Sequence, residues 1–358
     1  MLTVAAFFVA WAATSAWLGQ VLPFPDAAFV RAKVEKLAQH GDDYDILFVG
    51  SSRIHYEIEP AVFDRTLGEL DVTARSFNAG VVAMRCPEDG YYLEQLLRCP
   101  HQRLKWVFFE LMPVTEADLV LRGTERNTYW RDGKRTWLLT QHFSSQMADT
   151  WSRSGLWTRD WPKKFSVSAR LAGAWLEDVT LCAENLSQFG RGWPLLEQKL
   201  APSTKRASAP KRDLVGDGWV SPSTVKPLIQ DEKRRAKYER AYAALLAERQ
   251  RFDAGDAVSF EAVHAKIDLL KSAGITPLLI VPPTVAAKRY LPASVASETS
   301  AIMDFSESTK CPELFAVENR LDEDHLSASG AEIFSQALAR EFVGRLRKSA
   351  QKPPATGL

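Results

Sequence analysis

The chain has 358 residues, of which 46% are hydrophobic and 25% are charged, and its formal net charge is +1. This length allows one large domain with insertions or two modest domains, and the composition is typical of a globular protein. A net charge so close to zero provides no field that would attract a polyanion, so nucleic acid is not expected as a partner.

The first predicted element is an apolar helix at the N-terminus. Residues 2–22 contain no charged side chain and have about the length of a helix that crosses a bilayer. We therefore expect residues 1–24 to form a membrane anchor, with a cleaved signal peptide and a buried core helix as alternatives. Arg31, Lys33 and Lys36 follow this segment, which weakly opposes a cytoplasmic N-terminus.

Five short apolar runs predict β-strands. The first, third and fourth runs are nearly continuous, as expected of strands that are buried on both faces of a sheet. The five runs cover residues 46–49, 72–77, 106–111, 276–281 and 314–317.

Helical patterns separate these strands. Pro60 and Pro87 each suit the first turn of a helix, and further helical patterns cover residues 231–252, 260–273 and 328–346. Alternating strands and helices predict an α/β fold, in which a mainly parallel five-stranded sheet forms the middle of a three-layer α/β/α sandwich.

A long insertion interrupts this alternation between the third and fourth strands. We expect residues 25–120 and 256–348 to form two parts of one domain, residues 121–255 a largely helical insertion, and residues 349–358 a disordered tail. Residues 201–223 are rich in Pro, Ser and basic residues, which predicts an exposed linker. The tryptophans of the insertion either provide a platform for sugar rings or bury it against the domain or a membrane interface; they are Trp130, Trp137, Trp151, Trp157 and Trp161.

The four cysteines, Cys86, Cys99, Cys182 and Cys311, lack the spacing of metal ligands. Cys86 and Cys99 flank one predicted helix, which places them too far apart for an easy disulfide. The cysteines therefore leave the redox compartment open, and no metal or cofactor is expected.

Polar residues suited to chemistry follow the first and last predicted strands. Gly50, Ser51 and Ser52 end the first strand, and Asp322 precedes His325 by three residues after the fifth. Because ligands of parallel sheets bind beyond the carboxyl ends of the strands, both loops can converge at that edge. A carboxylate at this spacing can orient an imidazole that takes the proton of a serine hydroxyl.

This order of motifs resembles the SGNH (GDSL-like) hydrolase superfamily. It is most similar to envelope-associated members with Gly-Ser-Ser in place of Gly-Asp-Ser, such as the D-alanyl-lipoteichoic acid transfer protein and the alginate O-acetylation proteins. The first block matches residues 50–52, the glycine of the second block matches Gly80, and the Asp-x-x-His block matches Asp322 to His325. The resemblance implies Ser52 as nucleophile, His325 as base, Asp322 as its orienting acid, and the N–H groups of Ser52 and Gly80 as the oxyanion hole.

The third block departs from the superfamily pattern. Where Gly-x-Asn-Asp is usual, the chain has Phe-Phe-Glu-Leu-Met-Pro-Val, so no Asn completes the oxyanion hole. Glu110, in this stretch, either binds a sugar hydroxyl in place of the Asn or caps a loop. Arg53 and Asn78 are further candidates for substrate binding, with helix-start and turn-support roles as the alternatives. Asp324 is the alternative partner for the histidine.

The resemblance implies a membrane-anchored serine esterase or O-acyltransferase that acts on acyl groups, acetyl above all, of a cell-envelope or exported polysaccharide. Its substrate would be an acylated glycan or an acyl donor, its candidate partner a membrane-bound O-acyltransferase, and its soluble domain would lie on the periplasmic or extracytoplasmic side. The alternative is a catalytically weak protein of this fold that binds a glycan or scaffolds a polysaccharide modification or export complex. A nucleotide-binding flavodoxin-like protein is a further alternative, but the chain lacks a phosphate-cradling glycine loop.

Overall fold

The computed structural model describes residues 2–21, 29–115, 125–152, 161–187, 216–222, 225, 227–247, 252–253, 257–285, 289–290 and 302–351. Its strands are β1 (Ile46–Val49), β2 (Ser76–Asn78), β3 (Trp106–Glu110), β4 (Phe252–Asp253), β5 (Thr276–Val281), β6 (Arg289–Tyr290) and β7 (Ile302–Asp304). Its helices are α1 (Leu2–Val21), α2 (Val30–His40), α3 (Ser52–Glu57), α4 (Pro60–Glu69), α5 (Glu88–Leu96), α6 (Glu125–Thr128), α7 (Gly133–Ser152), α8 (Trp161–Ser187), α9 (Glu232–Ala247), α10 (Ala257–Ser272) and α11 (Ala328–Ala350).

The core of the fold is a five-stranded parallel sheet with the order β2-β1-β3-β5-β7. The chain passes from β1 to one side for β2 and then returns to the other side for β3, which is the strand order of doubly wound folds. The crevice between the carboxyl ends of β1 and β3 is the topological switch point, where such folds bind ligands. A separate two-stranded sheet pairs β4 with β6.

Helices cover both faces of the five-stranded sheet. Successive strand residues point to opposite faces, so Leu47 and Val107 join one buried cluster with residues of α2, α5 and α10. Phe48 and Phe108 join a second cluster with residues of α4 and α11. The sheet therefore lies between two helical layers, and the predicted α/β class is confirmed.

Three of the five predicted strands are confirmed as β1, β3 and β5, and the second begins at Ser76 rather than at residue 72. The prediction of a strand at residues 314–317 is wrong. Pro312 begins a short 3-10 helix there, Pro312–Phe315, whose Leu314 and Phe315 pack into the second cluster. Burial of this short helix accounts for the apolar run. The strand at the edge beside β5 is instead β7, which pairs with the end of β5.

The described part of the insertion between β3 and β5 is mostly helical, over α6 to α9, but it also contains the irregular segment 216–222 and the short strand β4. A fully buried ion pair holds it together, because Arg131 NH2 lies 2.7 Å from Asp178 Oδ1. Trp130 is buried beneath the Arg131 guanidinium, whereas Trp137 and Trp161 are exposed. Trp157, residues 201–215 of the predicted linker, and residues 352–358 of the predicted tail lie outside the described residues.

Residues 2–21 of the expected anchor form a helix, α1, that packs near the end of α8, where the Ser15 hydroxyl donates to the Ser187 carbonyl at 3.1 Å. Within the described residues, no helix combines the length and the apolar composition that a bilayer crossing requires. All four cysteines are free thiols.

Candidate active site

Ser52 and His325 lie within hydrogen-bonding distance of each other. The Ser52 Oγ is 2.7 Å from His325 Nε2, although the two residues are 273 positions apart in the chain. Ser52 begins α3 just beyond β1, and His325 lies in the loop that leads into α11. The predicted proximity of these two residues at one edge of the sheet is therefore observed.

The turn that presents Ser52 is held by the end of β3. The Ser51 N–H donates to Glu110 Oε2 at 2.6 Å, and the Ser51 hydroxyl caps α3 by accepting from the Arg53 N–H at 3.3 Å. Gly50 makes this approach possible, since a Cβ at that position would lie 2.7 Å from the Cβ and Oε2 of Glu110. The glycine and the carboxylate thus fix the turn together.

Asp322 orients the imidazole of His325. Its two carboxylate oxygens lie 3.0 and 3.1 Å from His325 Nδ1, and Oδ1 also accepts from the N–H groups of Asp324 and His325, each at 2.8 Å. The Asp324 carboxylate accepts instead from the Thr284 hydroxyl at 2.8 Å. Asp322, rather than Asp324, is therefore the partner of the histidine.

The loop that carries Asp322 and His325 folds around a fully buried guanidinium. Arg320 donates to the carbonyl oxygens of Glu323 at 2.7 Å, Pro283 at 3.1 Å and Asp322 at 3.3 Å. Sequence reasoning did not identify Arg320, because nothing in its neighbourhood in the chain distinguishes it from a solvated arginine.

These contacts shift the pKa values of both members of the pair. Burial alone would raise the pKa of Asp322, but the hydrogen bond and charge of His325, with two backbone N–H groups, lower it to about 2. Burial likewise favours the neutral His325 ring, yet the hydrogen bond and charge of Asp322, with the charges of Glu57 and Asp324, raise its pKa above the ordinary 6.5. The carboxylate is therefore ionised over the whole physiological range, as an imidazolium partner requires.

The oxyanion role that the resemblance implies for Gly80 does not fit this structure. Its N–H donates to Asn78 Oδ1 at 2.9 Å in a buried contact, and its carbonyl accepts from Lys33 Nζ. A Cβ at Gly80 would lie 2.5 Å from the His55 backbone nitrogen, so close packing against α3 explains the glycine. The Ser52 N–H lies in the first turn of α3, where a helix offers no internal acceptor.

Asn78 is buried and supports the backbone, which corrects its candidacy for substrate binding. Its side-chain amide donates to the carbonyls of Ile54 at 2.7 Å and Ile58 at 2.6 Å. The amide thereby joins the end of β2 to both ends of the segment that follows Ser52. This is the turn-supporting role that the sequence offered as the alternative.

A buried lysine lies behind this turn. Lys33 Nζ donates to the Asn78 carbonyl at 2.8 Å and to the Gly80 carbonyl, and lies 3.1 Å from His55 Nδ1. Burial holds the Lys33 pKa well below its usual range, against the charge of Asp217. In the sequence, Lys33 was considered only as one of the positive charges that follow the N-terminal helix, and its burial was not predicted. Its spacing from Val30 and Leu37, on one face of α2, is the signal that could have shown its burial.

Glu57, at the end of α3, is a second buried group that sequence reasoning missed. Its Oε1 accepts from the Leu326 N–H at 3.3 Å, next to His325 in the chain. Burial raises the Glu57 pKa to about 8, against the positive charges of Arg320, His325 and Arg53. No motif marks it, because its role depends on a residue 269 positions away.

Arg53 and Glu110, the other two candidates for substrate binding, pair with each other. Arg53 NH2 lies 2.5 Å from Glu110 Oε1; the carboxylate side chain is buried and the arginine side chain is 20% exposed. Arg53 thus reaches the surface of the site, whereas Glu110 contacts the backbone beneath it.

Part of the insertion returns to this edge of the sheet. The Trp219 indole N–H donates to the Tyr56 carbonyl at 2.9 Å, and the Tyr56 ring centroid is 6.2 Å from that of His325. The Tyr56 ring thus lies beside the imidazole, and Trp219 holds the backbone of that residue.

Comparison of the sequence with protein-family models gave no match, and comparison with curated proteins gave none either.

Proposed function

We propose that this protein is a serine esterase or O-acyltransferase of the SGNH type. The observation that carries the proposal is the continuous chain of contacts from Ser52 Oγ through His325 to Asp322, with distances of 2.7 and 3.0 Å. A serine hydroxyl is inert near neutral pH unless a base removes its proton in the transition state. The imidazole supplies that base, and the carboxylate stabilises the imidazolium that results.

The reaction proceeds by acyl transfer in two steps. Ser52 Oγ attacks the acyl carbonyl while its proton passes to His325 Nε2, and the tetrahedral intermediate collapses as the leaving alcohol takes that proton. The acyl group is then an ester of Ser52. Water or a sugar hydroxyl gives its proton to His325 and attacks this ester, which releases an acid or an acylated sugar and restores the serine.

The proposed substrate is an acyl group, acetyl above all, on a cell-envelope or exported polysaccharide, and the proposed setting is a membrane-anchored protein with its soluble domain on the extracytoplasmic side. The resemblance to envelope-associated SGNH proteins supports both. The Tyr56 ring beside the imidazole supports the glycan substrate, since aromatic faces pack against sugar rings. A membrane-bound O-acyltransferase is the proposed partner, because a serine acyl-enzyme at a membrane surface needs an acyl donor or acceptor there.

An ester-hydrolysis assay tests the catalytic proposal. The full-length protein should hydrolyse members of a p-nitrophenyl ester panel that begins with the acetate, and Ser52→Ala and His325→Ala should each lose about 10³-fold or more. Ser144→Ala and His40→Ala, at exposed positions in α7 and α2, are the matched controls. Equal rates in Ser52→Ala and the wild type would refute the nucleophile.

A second candidate function is a catalytically weak scaffold or glycan-binding protein. Two observations favour it: Glu110 stands where the superfamily has its Asn, and the Gly80 N–H is occupied by Asn78. Losing one oxyanion donor typically costs about 10²–10³-fold in rate. This candidate predicts that Ser52→Ala binds acetylated oligosaccharides as tightly as the wild type in calorimetry, while neither protein releases acetate.

A further inference from the structure

Arg53 follows the proposed nucleophile in the first turn of α3, and its guanidinium has an unusual setting. Its NH2 group is 2.5 Å from Glu110 Oε1, a carboxylate that is itself buried. The other oxygen of that carboxylate accepts from the Ser51 N–H at 2.6 Å. One acidic side chain therefore fixes both the turn before Ser52 and the side chain after it.

The guanidinium contacts the end of β3 and is subject to the negative charge of the loop that carries His325. Burial opposes the charged form of Arg53, but the negative charges of Glu110, Glu57 and Asp324 outweigh it and raise the arginine's pKa. Glu110 ends β3, whereas Asp324 adjoins His325 in the chain. The positive charge is therefore held on the same edge of the sheet as the Ser52–His325 pair.

Most hydrogen-bond donors of Arg53 are uncommitted. A guanidinium carries five N–H donors in a fixed fork, and within the described ranges Glu110 is its one ion-pair or hydrogen-bond partner. The arginine side chain is also 20% exposed, whereas that of Glu110 is fully buried. Donors of Arg53 thus remain for a group that enters from solvent.

Among the described residues, the proposed acyl-transfer site is short of hydrogen-bond donors for the oxyanion. An acyl-transfer site must supply donors to the oxygen that becomes negative in the tetrahedral intermediate. Glu110, in place of the usual Asn, is a carboxylate without a donor when ionised, and the Gly80 N–H already donates to Asn78. The Ser52 N–H alone would leave the oxyanion weakly stabilised.

We propose that the Arg53 guanidinium is the second oxyanion donor of this site and that Glu110 is the residue that positions it. This inference rests on the proposed serine acyl-transfer function. A charged donor forms shorter and stronger hydrogen bonds than an amide does, so it compensates for the absent Asn. Pairing with Glu110 keeps the guanidinium in place before substrate binds, which is the preorganisation that such stabilisation requires.

The test is the steady-state hydrolysis of p-nitrophenyl acetate by Arg53→Ala, Arg53→Lys and the control Arg65→Ala, an exposed arginine of α4 whose nearest carboxylate is 3.7 Å away. We expect Arg53→Ala to lose about 10²–10³-fold in kcat while KM changes by less than about threefold. Arg53→Lys should recover part of the rate, and Arg65→Ala should match the wild type. Added guanidinium at millimolar concentration should restore activity to Arg53→Ala but not to Ser52→Ala.

Three results would overturn the inference. An Arg53→Ala enzyme with wild-type kcat would do so, as would a loss confined to KM, which would assign Arg53 to substrate binding. Absence of guanidinium rescue, with a lowered melting temperature, would assign it to the folding of the turn. If the wild type has no activity that depends on Ser52, the proposed function fails and this inference fails with it. If the wild type has such activity and Arg53→Ala keeps it, only this inference fails.

Discussion

The carboxylate of Glu110 accepts a 2.6 Å hydrogen bond from the Ser51 N–H and pairs with Arg53 at 2.5 Å. The end of β3 therefore stabilises the turn that follows the neighbouring strand, β1. Glu110→Ala should lower the free energy of unfolding by about 3 kcal/mol, because it removes one partner of a buried pair and orphans a buried N–H group. Urea unfolding measures the loss. Glu332→Ala, which removes the exposed partner of Arg65, should change stability by less than about 0.5 kcal/mol. A loss in Glu110→Ala no larger than that of the control would contradict this account of the turn.

Gly50 is a position where an added methyl group has no room. Its Cβ would lie 2.4 Å from Ile54 Cγ1 and 2.7 Å from Glu110 Cβ, so Gly50→Ala should destabilise the fold by about 1–3 kcal/mol and impair ester hydrolysis. Gly68→Ala is the matched control, since a Cβ there meets open space within α4. That change should stabilise the protein by about 0.5–1 kcal/mol. Similar thermal melts for the two variants would show that Gly50 is not sterically required.

Asp322 should set the acid limb of the pH–rate profile. Its hydrogen bond and charge raise the His325 pKa above 6.5, and only the neutral imidazole can accept the serine proton, so the rate should rise with pH through that raised pKa. Asp322→Asn should lower kcat by about 10²–10⁴-fold and move the limb to lower pH. The profile of kcat/KM from pH 4 to pH 9 measures both effects. A limb that stays in place would mean that Asp322 does not act on His325.

Glu57 should make stability fall as the solution becomes alkaline. Its pKa is about 8 in the fold, against an ordinary 4.5, so the folded state retains a proton that the unfolded chain has lost between these values. This contribution is therefore fully present below about pH 4.5 and disappears as the pH rises through about 8, with a slope of up to about 1.4 kcal/mol per pH unit. Glu57→Gln should flatten the dependence in urea titrations between pH 5 and pH 8. An unchanged slope would show that Glu57 ionises normally.

The sheet was largely predictable because its central strands are buried on both faces. β1 and β5 coincide with their apolar runs, and the doubly wound order brings the loops after β1 and near α11 to one edge. The edge strand β7 was not predicted, since Ile302–Asp304 offers only two consecutive apolar residues. The apolar run at residues 314–317, which begins in the buried 3-10 helix Pro312–Phe315, was mistaken for the fifth strand.

The site was predictable only as far as local motifs reach. The spacing of Asp322 and His325 predicts their contact, the resemblance joins Ser52 to them, and the structure brings all three together. The partners of Gly80 and Arg320 depend on which distant polar atom each one meets in the folded core. A sequence records the donors and acceptors of a chain but not how they pair across hundreds of residues, so these partners emerged only from the structure.

The most direct measurement of the central claim is the labelling of the intact protein by a fluorophosphonate, followed by mass spectrometry and peptide mapping. The account predicts a single adduct on Ser52, none on Ser52→Ala, and labelling of His325→Ala slowed by about 10²–10⁴-fold because the base is missing. A folded wild-type protein that takes no label, or a Ser52→Ala variant that takes as much as the wild type, would contradict it.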